Sequence, residues 1–245
     1  MGIQAGSTSE TLRKVLRKAL GQEVLAVSYK ADQLQGGSVG EVMLVSGTAR
    51  TLAGRDLPFN VVYKRQKQWE RYGDPHSWRR EYDLYGEQLD TVFSDSFRWP
   101  QCYHAELIGD ETHIWMEYLE GVSGLELTGA TLEHIAEELG RWQGRLYAQQ
   151  PVLLSKLSNL SSKDYIKNYY LHYRSWKEVY DYIRSADCEI PKHLCDMLID
   201  LDERSDEIWE TIEQLPVVLC HRDFWVANIF YSDQKVRVID WDTAG

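Results

Sequence analysis

The sequence predicts an α+β chain organised as two lobes. Three patterns carry that expectation. Residues 1–118 hold five apolar runs of strand length, separated by turn-forming residues and by two stretches of helical spacing. In residues 131–214 apolar side chains recur three and four apart, which marks helices with one buried face. Residues 215–245 return to short apolar runs around a polar loop. The order of these patterns places a small antiparallel sheet with a packed helix in residues 1–118 and a mainly helical unit in residues 119–245.

Each element has its own signal. Leu12, Val15, Leu16 and Ala19 share one face of a helix over residues 9–20, with Ser9 as a fitting N-cap. A strand follows near residues 23–30. The next segment, Q-G-G-S-V-G-E-V-M-L-V, is a glycine-rich turn running into a second strand. Gly36, Gly37 and Gly40 there remove Cβ obstruction and Ser38 offers a hydroxyl. That turn reads either as an ordinary glycine hairpin or as a cradle where backbone approaches phosphate. A third strand over residues 59–64 closes on V-V-Y-K. Lys64 is there an edge-strand surface lysine unless other features recruit it. Tyr82, Tyr85, Leu89 and Val92 predict a helix over residues 78–94, which carries Glu81. Strands over residues 102–107 and 112–119 flank Gly109 and Asp110, a hairpin signal.

The second half is helical. Thr131 suits the N-cap of a helix running to Tyr147, with Ile135, Leu139, Trp142 and Leu146 inward. Residues 163–184 are rich in Tyr and Trp, either as core or as aromatic faces for a ligand. Pro191 opens a helix over residues 192–214 with Leu194, Leu198, Leu201, Ile208 and Ile212 on one face. Its other face is strongly acidic, which is a solvated surface or an attraction for a cationic ligand. Pro216 stops it.

Composition narrows the function classes. Apolar residues make up 43% and charged residues 27% of the 245 residues, which describes a chain with a sizeable core. A net charge of −11 argues against a nucleic-acid partner. No apolar run approaches the ~20 residues of a membrane span. The four cysteines (Cys102, Cys188, Cys195, Cys220) form no C-x-x-C pair and no metal-ligand spacing, so a reduced, cytoplasmic setting is expected. Oligomeric state is left open.

The chemistry concentrates at the end of the chain. L-C-H-R-D-F-W-V-A-N-I-F-Y carries His221, Asp223 and Asn228, and V-R-V-I-D-W-D carries Asp240 and Asp242. Asp223 and Asn228 lie five residues apart in the loop 219–229, and Asp240 closes the apolar run in 236–242. An Asp can orient a hydroxyl and accept its proton. An Asn and a second Asp supply hard oxygen ligands for Mg²⁺. That set suits phosphoryl transfer. His221 reads as a scaffold residue rather than a base.

His-x-Asp-x-x-x-x-Asn followed by Ile-Asp-Trp-Asp resembles the catalytic core of the aminoglycoside phosphotransferase family. That family includes choline- and homoserine-kinase-like enzymes and is similar to the protein kinases. The resemblance implies a protein-kinase-like two-lobed fold with ATP and Mg²⁺ as cofactors. It places Asp223 as catalytic base and Asn228 and Asp240 as Mg²⁺ ligands. It implies that Lys64, positioned by Glu81, contacts the phosphates and that Gly36, Gly37, Ser38 and Gly40 cover them. The segment I-W-M-E-Y-L-E-G resembles the family's hinge. Met116 would stand behind the adenine, and the backbone of Glu117 and Leu119 would meet its edge. No G-x-x-x-x-G-K-[ST] loop is present. The implied reaction moves the γ-phosphate to a hydroxyl of a small molecule, with a cationic one compatible with the charge. A non-catalytic nucleotide-binding module, or a fragment needing further C-terminal helices, is the alternative, because relatives continue past the position of Gly245.

Overall fold

The computed structural model of the protein describes residues 5–34, 40–69, 74, 76–87, 89–149, 151–157, 167–168, 171–172 and 176–245. The first element is helix α1 (Ala5–Leu20). Strands β1 (Val24–Gln33), β2 (Glu41–Thr51) and β3 (Asp56–Lys67) follow as an antiparallel meander. Helix α2 (Arg80–Gly86) comes next. The short strand β4 (Phe97–Arg98) precedes the hairpin of β5 (Cys102–Ile108) and β6 (Glu111–Glu117). The five-stranded sheet has the order β1-β2-β3-β6-β5. Gly109, at φ +63, makes the β5–β6 turn.

Burial explains this half. Leu12, Val15 and Leu16 of α1 are fully buried against Val45, Phe59, Val61, Tyr63 and Trp115 of the sheet. The helix begins at Ala5 instead of at Ser9, whose carbonyl accepts from Arg13 Nε inside the helix. The helix expected over residues 78–94 is broken. A 3₁₀ turn at Ser77–Arg79, α2, and a second 3₁₀ turn at Leu89–Val92 replace it. Three-residue turns can keep apolar positions on nearly the same side, so the helical spacing survives the breaks.

The second half contains α3 (Gly129–Gln149), α4 (Pro151–Leu157), α5 (Trp176–Ile183), α6 (Lys192–Glu203) and α7 (Ser205–Gln214). Thr128, not Thr131, caps α3: its hydroxyl accepts from the Thr131 N–H at 3.3 Å. The expected helix over residues 192–214 divides at Arg204, which pairs with Asp200 before the break and Glu207 after it. Tyr180 of α5 donates to Asp202 of α6. Tyr165, Tyr169, Tyr170 and Tyr173 lie outside the described residues.

Strands β7 (Ile229–Ser232) and β8 (Lys235–Val238) form the terminal hairpin. Its turn residues Asp233 and Gln234 both have positive φ, as a tight two-residue hairpin turn demands. β4 adds to β8 in parallel, giving a second, three-stranded sheet. Around it lies the second core: Leu84, Phe97, Trp99, Ile135, Trp142, Leu146, Val236, Val238 and Trp241. Residues 84–99 thus share a core with α3 and the terminal hairpin. No helix among the described residues is long and apolar enough to cross a membrane.

Candidate active site

Lys64 sits on β3, opposite Val42 of β2 and Ile114 of β6. Its side chain is only 13% exposed. Its ammonium donates to Glu81 Oε2 at 2.7 Å and to Asp240 Oδ1 at 2.6 Å. Glu81 lies in the first turn of α2 and is itself 3% exposed. Burial alone would lower the Lys64 pKa, but the carboxylates of Glu81, Asp240 and Asp242 outweigh it and raise it. Lys64 is therefore a fixed positive charge. It joins the sheet, α2 and the terminal segment at one atom.

The terminal loop is held by backbone and imidazole. The His221 ring bonds the Ile239 carbonyl through Nε2 at 2.8 Å, and its burial lowers its pKa. Neutral imidazole then acts as a strut between the loop and the strand that ends at Asp240. The backbones of Cys220 and Gly245 exchange hydrogen bonds, at 3.1 and 3.0 Å. The Ile239 N–H donates to the Asn228 carbonyl. Trp241 is fully buried, edge-on to Trp99, Trp142 and His221. It anchors Asp240 from the following position.

Asn228 shows which way it points. Its amide nitrogen donates at 3.0 Å to both the carbonyl and Oδ2 of Asp223. The nitrogen is committed to Asp223, so the amide oxygen is the atom turned away from it. An amide oxygen and the Asp240 carboxylate are a hard donor set, which fits a divalent cation such as Mg²⁺. Asp240 and Arg222 both adopt the left-handed region, at φ 66. For a non-glycine residue that conformation stores on the order of 1 kcal/mol or more, and it recurs where side chains must be aimed.

The segment after β6 is bracketed on two sides. Glu117 receives a bidentate pair from Arg98, at 2.6 and 2.9 Å, and a third bond from the Gln101 N–H. Burial would raise the Glu117 carboxyl pKa, but the Arg98 bonds outweigh it and lower it. The N–H of Glu117 donates to the Gln101 carbonyl. Val122 exchanges backbone hydrogen bonds with Tyr231 of β7, both at 2.9 Å. Gly121 makes this approach possible: at φ +149, a Cβ there would lie 2.7 Å from the Tyr231 carbonyl oxygen. Met116 is buried at the end of β6, and Leu119 is half-buried.

Gly36, Gly37 and Ser38 lie outside the described residues. Gly40 does not: a Cβ there would meet the Arg65 carbonyl at 2.9 Å, so strand contact alone demands glycine. Two residues missed by sequence reasoning complete the site's frame. Arg98 forms the Glu117 bracket. Arg80, 2% exposed, donates to the Ala244 carbonyl and to Asp74, tying α2 to the segment after Asp240. The only signal for Arg80 was its place beside Glu81 in R-R-E-Y.

The class that this fold and terminal loop define is a phosphotransferase with a sheet lobe over a helical lobe. The sequence profile of the phosphotransferase enzyme family matches residues 94–245. The chain belongs to that family. No curated protein matches it. Among solved structures, aminoglycoside phosphotransferase APH(4)-Ia superposes with a TM-score of 0.52 at 16% identity, covering 97% of this chain and 72% of that one. Its thermostable mutant in apo form gives a TM-score of 0.49 at 18% identity, covering 95% and 71%. A protein from Haemophilus somnus 129PT, provisionally named a fructosamine-3-kinase, gives 0.46 at 14% identity, covering 94% and 70%. These likenesses concern the fold.

Proposed function

We propose that this chain transfers the γ-phosphate of ATP to a hydroxyl of a small molecule. The observation that carries the reading is the single ammonium of Lys64 held between Glu81 and Asp240, together with an Asn228 locked onto Asp223 and joined by its carbonyl to the Ile239 N–H just before Asp240. Burying a charge is costly unless it is paired, as Lys64 is with two carboxylates, and a fixed cation held by oxygen donors suits a polyphosphate.

Each residue has a separate task. Asp223 orients the acceptor hydroxyl and takes its proton. Asn228 holds Asp223 through its nitrogen, and its oxygen, with Asp240, would hold Mg²⁺. When bound, Mg²⁺ would supply neutralisation of the phosphate charge. Lys64 contributes a fixed positive charge to the phosphates, and Glu81 keeps it aimed. The backbone of Glu117 and Leu119 meets the adenine edge, with Met116 behind it. Positioning and charge stabilisation supply the rate enhancement. The acceptor is a hydroxyl-bearing small molecule, and the net charge of −11 favours a cationic one at long range. The superposed aminoglycoside phosphotransferase APH(4)-Ia is named for a small-molecule acceptor, which is in keeping with this class.

The deciding experiment follows ADP release from Mg·ATP across a panel of hydroxylated cations and sugars. Asp223→Asn should cut acceptor-stimulated ADP release by roughly 10²–10⁴-fold, the usual contribution of a general base. Nucleotide binding by the variant should persist. Undiminished turnover in that variant sinks the role of Asp223. Nucleotide binding with no stimulation by any acceptor supports a binding module instead.

A further inference from the structure

Cys188 and Cys195 stand apart from the phosphate-handling residues. Cys188 lies in the turn after α5, and Cys195 lies in the first turn of α6. Their sulfurs are 3.9 Å apart. Both thiols also converge on one acceptor, the Ile190 carbonyl, at 3.9 Å from Cys188 and 3.5 Å from Cys195. This convergence follows from the local chain. Pro191 stops the turn from continuing as helix and starts α6, and its carbonyl accepts from the Cys195 N–H at 3.2 Å. The chain therefore doubles back over residues 188–195, and the sulfurs face each other across Ile190.

The two thiols are not equivalent. Cys195 is 6% exposed, whereas Cys188 is half-buried and reaches solvent. Burial, then the neighbouring Cys188 thiol, raises the Cys195 pKa. An outside reagent thus meets Cys188 first. A disulfide needs the sulfurs at ~2.05 Å, so they must close by about 1.9 Å, within reach of side-chain rotation and a small shift of the turn.

We infer that Cys188 and Cys195 form a dithiol modification site that closes to an intramolecular disulfide when it meets a low-molecular-weight disulfide such as glutathione disulfide. In the first step the Cys188 thiolate attacks one sulfur of the oxidant. The oxidant's S–S bond breaks and one glutathione thiolate leaves, giving a mixed disulfide on Cys188. In the second step Cys195 releases its proton to solvent and attacks the Cys188 sulfur. The bond to glutathione breaks and the second glutathione thiolate leaves. The protein loses two protons and two electrons, and the oxidant becomes two thiols. The product fastens the turn after α5 to the start of α6. Neither step depends on the phosphotransfer reading.

The full chain is incubated with glutathione disulfide, quenched with acid and weighed. The expected result is a loss of about 2 Da with two thiols remaining of four. Trypsin cuts after Arg184, Lys192 and Arg204, so residues 185–192 and 193–204 should appear as one linked pair of peptides. Cys195→Ser should stop at the glutathione adduct on Cys188, and Cys188→Ser should give neither product. Accumulated adduct on the unsubstituted chain, a disulfide involving Cys102 or Cys220, or four intact thiols each overturn the inference. So does closure at the same rate in concentrated urea, because the folded turn would then contribute nothing.

Discussion

Lys64 is held between a carboxylate that water hardly reaches and one that it does: Glu81 is 3% exposed and Asp240 is 32%. Removing the ammonium leaves Glu81 charged, buried and unpaired. Lys64→Met should therefore destabilise the fold by about 3–5 kcal/mol, measured by urea unfolding. Adding Glu81→Leu should recover much of that loss, since the orphaned charge goes with it, yet should restore no transfer. An additive double variant would mean that the two residues are not coupled. His221 gives a second prediction at this scale. Its folded pKa is lowered by burial, so the unfolded chain binds the proton more readily. The stability it contributes is present above the unfolded value near 6.5 and is lost as pH falls from there through the folded pKa. An NMR titration should place the His221 midpoint below that of an exposed histidine. A midpoint at or above the exposed value contradicts its role as a neutral strut.

Among the elements, the segment after β6 is the most tightly specified. Gly121→Ala sets a Cβ against the Tyr231 carbonyl at a φ that side chains rarely adopt. It should cost about 1–3 kcal/mol by thermal or urea unfolding. Gly109→Ala, at φ +63 with open space around it, is the control and should cost less. Equal losses would show that the β7 contact does not matter. Arg98→Ala removes the bidentate support of Glu117. Its expected effect is a nucleotide KM raised on the order of 10-fold, about 1.4 kcal/mol, with a smaller change in kcat. A fall in kcat alone would count against the proposed adenine contact beside Glu117.

At the scale of the molecule, the two cores meet where α2 lies under the sheet and beside the segment 241–244. Arg80 makes that junction through Ala244 and Asp74. This junction explains what was legible in sequence and what was not. The strands, the β5–β6 hairpin and the face of α1 announced themselves through apolar spacing, because each buries one side against a continuous core. The chemical residues announced themselves through type and order: Lys64, Glu81, Asp223, Asn228 and Asp240. The structure draws Lys64, Glu81 and Asp240 together, and separately Asp223 and Asn228. Arg80, Arg98 and β4 did not announce themselves. A two-residue strand has no period to detect, and a buried arginine looks in sequence like any solvated one. Arg80 reaches Ala244, 164 residues away, and Arg98 reaches Glu117, 19 residues away. The spacing over 78–94 reads as one helix because 3₁₀ turns preserve a helical rhythm without a continuous helix.

The Lys64–Asp240 contact joins residues 176 apart in sequence, one on the five-stranded sheet and one just past the terminal hairpin. That ion pair ties the sheet to the terminal segment. If the proposed function holds, a triphosphate would compete with Asp240 for the same ammonium, so binding would exchange one anion for another. Two effects then oppose each other as ionic strength rises. Salt screens the nucleotide's approach, and it also weakens the ion pair at its wetter end. Nucleotide affinity in this protein should therefore fall less steeply with salt than the charge of a triphosphate alone would dictate, and Asp240→Asn should make that slope steeper.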